Sequence, residues 1–286
     1  MIKIIYGTAN FNSDYGILRS QHIPDTRLNE FLLNNHIDTL DTALAYKYDL
    51  KNLSLVRKKN LKIISKIRLP KFNKLKFLNN LEKNIRINLK YLKKKNYETM
   101  LFHNVNNLKT NEGKELLSVL KDLKNKKLIK NIGISIYGKD ELNISLKYFK
   151  PEVVQFPLNP INKKNFDKSF VNYLKKIDIK SQVRSIFFQG LLLKNIFYIK
   201  KQKINKNIKK ALLSIHNLSK KKKLTKLELA IDYVRSVNPD SIVVGVDNIQ
   251  QFMNINELFK RNIEAKKING LRKFDNIDTR ANILLK

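Results

Sequence analysis

Eight short apolar runs, each too short for a helix and separated by longer stretches of mixed polarity, constrain the fold of this chain more than any other feature. They lie at 3–8, 37–41, 62–66, 99–103, 131–135, 153–156, 179–184 and 241–245. Runs of this length rich in valine and isoleucine read as strands. Their weak alternation implies burial on both faces, as in a parallel sheet. The stretches between them read as helices, notably at 24–35, 77–94, 113–125 and 227–236. In the second, Leu78, Leu81, Ile85, Leu89 and Leu92 recur at steps of three and four, which is one face of a helix. Strand and helix alternating through 286 residues predict a (β/α)8 TIM barrel. An open doubly wound sheet is the competing arrangement. Such a sheet would carry a glycine-rich phosphate turn after its first strand, where this chain has Gly7, Thr8 and Ala9.

No internal repeat or linker divides the chain, so a single domain spanning 1–286 is expected. Within it, a long basic insertion occupies about 193–223, with an extra helix near 208–218, and a tail from about 262 is positioned to fold back over the barrel.

Composition narrows the function classes. With no cysteine, disulfides, thiolate metal sites and cysteine nucleophiles are excluded, and no metal site is expected. The opening MIKIIYGTANF turns polar too soon for a secretory leader and reads as the first strand. No apolar stretch reaches the roughly 18 residues of a membrane span, so a cytoplasmic protein with no membrane partner is expected. The net charge of +34 raises nonspecific nucleic-acid binding, through lysine runs such as 220–223, as an alternative function. The lysines are spread throughout and accompany abundant asparagine and isoleucine, a bias that an A·T-rich genome would generate by itself. No zinc-finger spacing or aromatic RNA-binding motif is present, and no specific nucleic-acid partner is expected.

Four polar residues stand at or just beyond the ends of predicted strands: Asp41, Tyr46, Lys66 and His103. In a barrel of parallel strands, that end carries the chemistry. A phenol with a reference pKa of about 10 is a poor acid near neutrality. An adjacent ammonium favours the phenolate, and a carboxylate holds the ammonium charged and aimed. An imidazole beside them donates a hydrogen bond to a substrate oxygen. Singly, each residue also reads as a cap, a loop aromatic, a solvated strand end or a core histidine. Together they suit protonation of an oxygen as its carbon receives hydride.

At this point the chain resembles the aldo-keto reductases, over most of its length. YGTANFNSDYGI is similar to the opening strand and loop of bacterial members with an LGTAQFG-like start. LDTALAY resembles the motif D-x-A-x-x-Y and assigns Asp41 and Tyr46, while ISK and LFHN supply Lys66 and His103. IGISIY, VVQFPLNP, RSIFFQGLL and SIVVGVDNIQQF resemble the segments at strands five, six, seven and eight.

The resemblance implies a carbonyl reductase with Tyr46 as general acid, helped by Lys66 and Asp41, and with His103 positioning the substrate. It implies NADPH as cofactor, with NADH as the alternative. Ser135 and Gln155 would hold the carboxamide, with Asn159 just beyond. Thr8 belongs to the same cofactor-binding set. Arg184, Ser185 and Gly190 would approach the nicotinamide and pyrophosphate, and Gly245, Asp247 and Gln251 the adenosine end, where a helix N-terminus also favours phosphate. The partner would be a small aldehyde, ketone or keto-sugar, its hydroxyls met by Asn10, Asn12, Asp14 and Tyr15. A barrel of the same family that binds nucleotide and regulates a partner is the alternative function.

The chain also departs from the family pattern. Ile136 follows Ser135 where asparagine is common, and Arg184 stands where many members stack an aromatic ring on nicotinamide. The cations that often grip a 2′-phosphate near strand eight are missing, and Asp247 is acidic. Ile255 replaces a frequent Glu-Asn, and the loop after Tyr46 lacks Gly-x-Ser-Glu. A shifted register would make Tyr48 the acid in place of Tyr46.

Overall fold

The computed structural model describes residues 2–11, 30–32, 34, 37–46, 49–161, 166–201 and 204–261. The strands are β1 (Lys3–Gly7), β2 (Thr39–Asp41), β3 (Lys62–Ile67), β4 (Tyr97–His103), β5 (Ile129–Ser135), β6 (Val153–Pro157), β7 (Lys180–Arg184) and β8 (Ser241–Val244). Every strand pairs in parallel with the next, and β8 closes onto β1. The predicted eight-stranded barrel is therefore formed. The helices are α1 (Lys74–Tyr91), α2 (Asn111–Asn125), α3 (Lys139–Leu146), α4 (Lys168–Lys176), α5 (Ile196–Lys201), α6 (Lys206–Lys222), α7 (Lys226–Val237) and α8 (Ile249–Lys260). The helix predicted at 24–35 falls mainly outside the described residues, as does the tail from 262. The segment 193–223 contains α5 and α6, the latter covering the helix predicted there. No described helix is long and apolar enough to cross a membrane.

Local chemistry sets the ends of these elements. α1 buries Leu78, Leu81, Ile85 and Leu89 along its predicted stripe. It stops where Lys93 turns left-handed at φ 53°. The Lys93 and Lys94 amides then donate to the Lys90 and Leu89 carbonyls at 3.1 and 2.9 Å, satisfying the last turn. Thr110 caps α2 by accepting from the Gly113 amide at 3.1 Å. Thr225 and Glu228 cap α7 reciprocally.

Two apolar layers result. The larger lies between strands and helices. A smaller cluster of Ile5, Ile64, Leu101 and Val153, with Val243 against it, fills the barrel interior. Side chains two apart on a strand share a face. The next inward positions toward the strand ends are therefore Gly7, Lys66, His103, Gln155 and Gly245. The apolar plug thus supports a polar layer at the carboxyl end of the barrel.

Candidate active site

Above that plug opens a cavity of about 1050 Å³, lined by Asp41, Tyr46, Lys66 and His103. The four residues proposed for catalysis therefore share one opening. Asp41 and Lys66 are brought together by neighbouring strands, with Asp41 paired in register to Ile64 two residues before Lys66. The Lys66 ammonium donates to the Asp41 carboxylate in a close ion pair, their side chains only 12% and 5% exposed. It also donates to the Thr42 carbonyl at 3.3 Å. The other Asp41 carboxylate oxygen accepts from the Gln155 amide at 2.8 Å. Both Asp41 carboxylate oxygens are therefore engaged. Tyr46 follows in the turn after β2, half-buried, with its amide bonded to the Ala43 carbonyl at 3.0 Å.

Burial is the largest influence on Lys66 and lowers its pKa; the Asp41 carboxylate opposes that fall, and the Arg184 guanidinium adds to it. The carboxylate thus stabilises an ammonium that would otherwise lose its proton more readily. His103 is lowered to about 4, first by burial and then by the charges of Arg184, Lys66 and Arg68. Its imidazole is neutral at pH 7, with one N–H to donate and one nitrogen to accept. The buried His103 Nδ1 has no hydrogen-bond partner among the described residues.

The residues proposed for cofactor binding divide by position. Ser135, Arg184, Ser185, Gly190, Gly245, Asp247 and Gln251 line the cavity. The Ser135 hydroxyl is buried and unpartnered among the described residues. Thr8 and Gln155 are fully buried and are not among the lining residues. The Thr8 hydroxyl donates to the Asp41 carbonyl at 3.1 Å. Gln155 shares its amide nitrogen between Asp41 and the Gln182 carbonyl oxygen. Its own carbonyl oxygen has no partner among the described residues.

Arg184 sits with its guanidinium 4.4 Å from the centre of the Tyr137 ring and donates to the Ile136 carbonyl at 3.3 Å. Beyond it, Ser185 has φ 58°, and Phe188, Gln189 and Gly190 are left-handed in succession. Non-glycine residues pay for that conformation. Part of the turn is pinned by Asn159, whose amide donates to the Ser185 carbonyl at 3.2 Å. After β8, the Gln251 side chain accepts from the Asp247 amide at 2.9 Å, and Asn248 caps α8 through the Gln251 amide.

Arg68, Tyr137 and Gln182 were not singled out from sequence. Gln182 lies two residues before Arg184 within β7, so period-two alternation marks it as a same-face neighbour, while Arg68 follows the end of β3 and lines the cavity. Tyr137 closes the IGISIY segment and lines the cavity. The side chain of Asn10, and all of Asn12, Asp14, Tyr15 and Tyr48, lie outside the described residues. Among the described residues, no group of three His, Asp or Glu side chains is arranged to hold a metal.

No curated protein is significantly similar to the chain in sequence. Solved structures with the same fold include the holo form of an aldo-keto reductase from Bacillus halodurans, at TM-score 0.68 and 12% identity over 96% of this chain and 94% of that one. An aldose reductase from Schistosoma japonicum aligns at TM-score 0.59 and 15% identity, covering 93% and 87%. An aldo-keto reductase crystallised with NADPH aligns at 0.64 and 16%, covering 97% and 85%. Such identities speak for the fold alone. The model of the Aldo/keto reductase family matches residues 3–276, nearly the whole chain. With that match, the chain belongs to the aldo/keto reductase family of NAD(P)H-dependent oxidoreductases.

Proposed function

We propose that this protein reduces the carbonyl of a small aldehyde, ketone or keto-sugar to the alcohol, with Tyr46 as the proton donor. The observation that carries the reading is the buried Asp41–Lys66 ion pair at the floor of a cavity that Tyr46 and His103 also line.

The cavity suits the family's cofactor, NADPH. Its volume of about 1050 Å³ stands at the upper end of small-molecule sites, as a dinucleotide with its substrate requires. The unpartnered Ser135 hydroxyl is a buried polar group in need of a ligand. Ser135 would hold the carboxamide, and Arg184, Ser185 and Gly190 the nicotinamide and pyrophosphate. Gly245, Asp247 and Gln251 would surround the adenosine end. Gln155 aims the Asp41 carboxylate, and Thr8 ties β1 to the end of β2. When bound, the reduced nicotinamide supplies the hydride that the carbonyl carbon accepts.

The chain's own residues handle the proton. Tyr46 gives its hydroxyl proton to the carbonyl oxygen, so that the C=O π pair ends as an O–H bond, and recovers a proton from solvent afterwards. The Lys66 ammonium stabilises the phenolate that Tyr46 becomes, and Asp41 keeps the ammonium protonated and directed. Neutral His103 donates its one N–H to the carbonyl oxygen and orients it.

Turnover of NADPH and NADH with a panel of aldehydes and keto-sugars tests the reading. Tyr46→Phe should lower kcat by at least about a thousandfold, near the upper range for losing a general acid, while cofactor binding by fluorescence persists. Full turnover by that variant would reject Tyr46 as the acid. Cofactor binding with no turnover by the wild type would favour the regulatory, nucleotide-binding barrel instead.

A further inference from the structure

The mouth of the barrel carries more cationic groups than carbonyl reduction uses. Lys66, Arg68, Lys71, Arg184 and Lys194 line it, against Asp41 and Asp247. Lys66 is neutralised by Asp41, and Arg184 is engaged with the Tyr137 ring and the Ile136 carbonyl. Arg68 has no such commitment. Among the described residues its guanidinium makes no ion pair or side-chain hydrogen bond, yet its charge reaches His103.

Position says what Arg68 faces. It stands two residues beyond Lys66, just past the end of β3, and both residues line the cavity. Two residues of extended chain span at most about 7 Å, so Arg68 lies nearer the rim than Lys66 by up to that distance. In the closed ring of eight strands, β3 is diametrically opposite β7. The phosphates of the dinucleotide, assigned above to β7 and β8, would lie across the mouth from it. A guanidinium on the opposite wall is therefore free for something other than the cofactor.

We propose that Arg68, assisted by Lys71, binds an anionic group on the substrate, so that the protein takes short carbonyl compounds carrying a carboxylate or phosphate within a few bonds of the reacting carbon. This deepens the reductase reading and rests on it. The planar fork of a guanidinium matches either oxyanion with two parallel N–H donors. Excess positive charge around a low-dielectric cleft also concentrates an anionic substrate there. The anionic group is unchanged by the reaction. Hydride forms the new C–H bond, the Tyr46 proton forms O–H, and the product leaves with the charge it brought.

The test is a pairwise comparison with the full-length protein and NADPH. One pair is 4-oxobutanoate against 4-oxobutanamide, which isolates a carboxylate. The other is glyceraldehyde 3-phosphate against glyceraldehyde, which isolates a phosphate. In at least one pair the anionic member should have kcat/KM higher by on the order of 10- to 100-fold, as expected for a charge-assisted hydrogen bond, mainly through KM. Which pair responds identifies the oxyanion. Added salt should shrink the preference, because the site opens to solvent. Arg68→Ala should bring the ratio close to one, and Arg68→Lys should keep part of it.

Equal efficiency within both pairs, in a protein that reduces all four compounds, would overturn anion recognition and leave the reductase reading standing. A rise in the NADPH Kd of Arg68→Ala by about tenfold, the equivalent of one lost charge-assisted contact, would overturn it by assigning the guanidinium to the cofactor. Reduction of none of the four, or of any other carbonyl in the panel, would refute the reductase reading and this proposal with it.

Discussion

Replacing Lys66 with methionine removes the ammonium while nearly preserving side-chain length, so the change is mainly one of charge. The Asp41 carboxylate, with a side chain only 5% exposed, would keep a single charged-state donor, the Gln155 amide at 2.8 Å. Leaving one member of a buried pair without its counter-ion costs about 3–5 kcal/mol. Unfolding entropy of about 2.1 cal/mol/K per residue amounts to about 0.6 kcal/mol/K over this chain. The expected fall in Tm is therefore about 5–8 °C. The double variant Lys66→Met with Asp41→Asn separates charge from packing. An asparagine carbonyl still accepts from Gln155 but needs no counter-ion, so most of the loss should be recovered. Thermal and urea unfolding of wild type, both single variants and the double variant measure the coupling. A Lys66→Met midpoint within about 1 °C of wild type, or a double variant no more stable than the single, would refute the view that charge compensation dominates at this site.

Two other outcomes follow from particular contacts. His103 has a folded-state pKa of about 4 against an ordinary 6.5, so between those values the unfolded chain binds more protons than the folded one. Stability should then fall as pH drops through that window, by up to about 3 kcal/mol from this residue. Urea midpoints of wild type and His103→Asn should converge from pH 7 to pH 4.5, and parallel curves would contradict the shift. Gly113→Ala places a Cβ 1.7 Å from the Asn107 carbonyl oxygen, a backbone atom of the turn preceding α2. Despite alanine's better helix propensity, the variant should lose about 2 kcal/mol or more, and wild-type stability in urea would show that the turn yields freely.

The strands were legible because burial on both faces leaves an unbroken apolar record. All eight predicted runs overlap the observed strands. Their limits moved where hydrogen bonding and burial diverge. Ile37 is buried, yet β2 comprises only Thr39–Asp41. α1 begins at Lys74, three polar-rich positions before the apolar stripe becomes visible, because a helix starts where its backbone turns and not where its side chains are apolar. The six-residue α5 left no stripe at all, and its Phe197 is 74% exposed.

The site shows the same division at finer scale. Residue type, strand-end position and the family resemblance singled out Asp41, Tyr46, Lys66 and His103, and the four line one cavity because parallel strands in a barrel all end at one mouth. Alternation also says which neighbours on a strand share a face. Neither reveals depth or cross-barrel partners. Gln155 was assigned to the carboxamide, and barrel closure also sets its amide on the Asp41 carboxylate, a residue 114 positions away. Arg184 was assigned to the cofactor and also rests on Tyr137, and Arg68 drew no notice until barrel closure set β3 opposite β7. A one-dimensional pattern encodes which side of the sheet a residue takes. Which residues then meet, and in which layer, depends on register and ring closure, and these arise only when all the strands assemble.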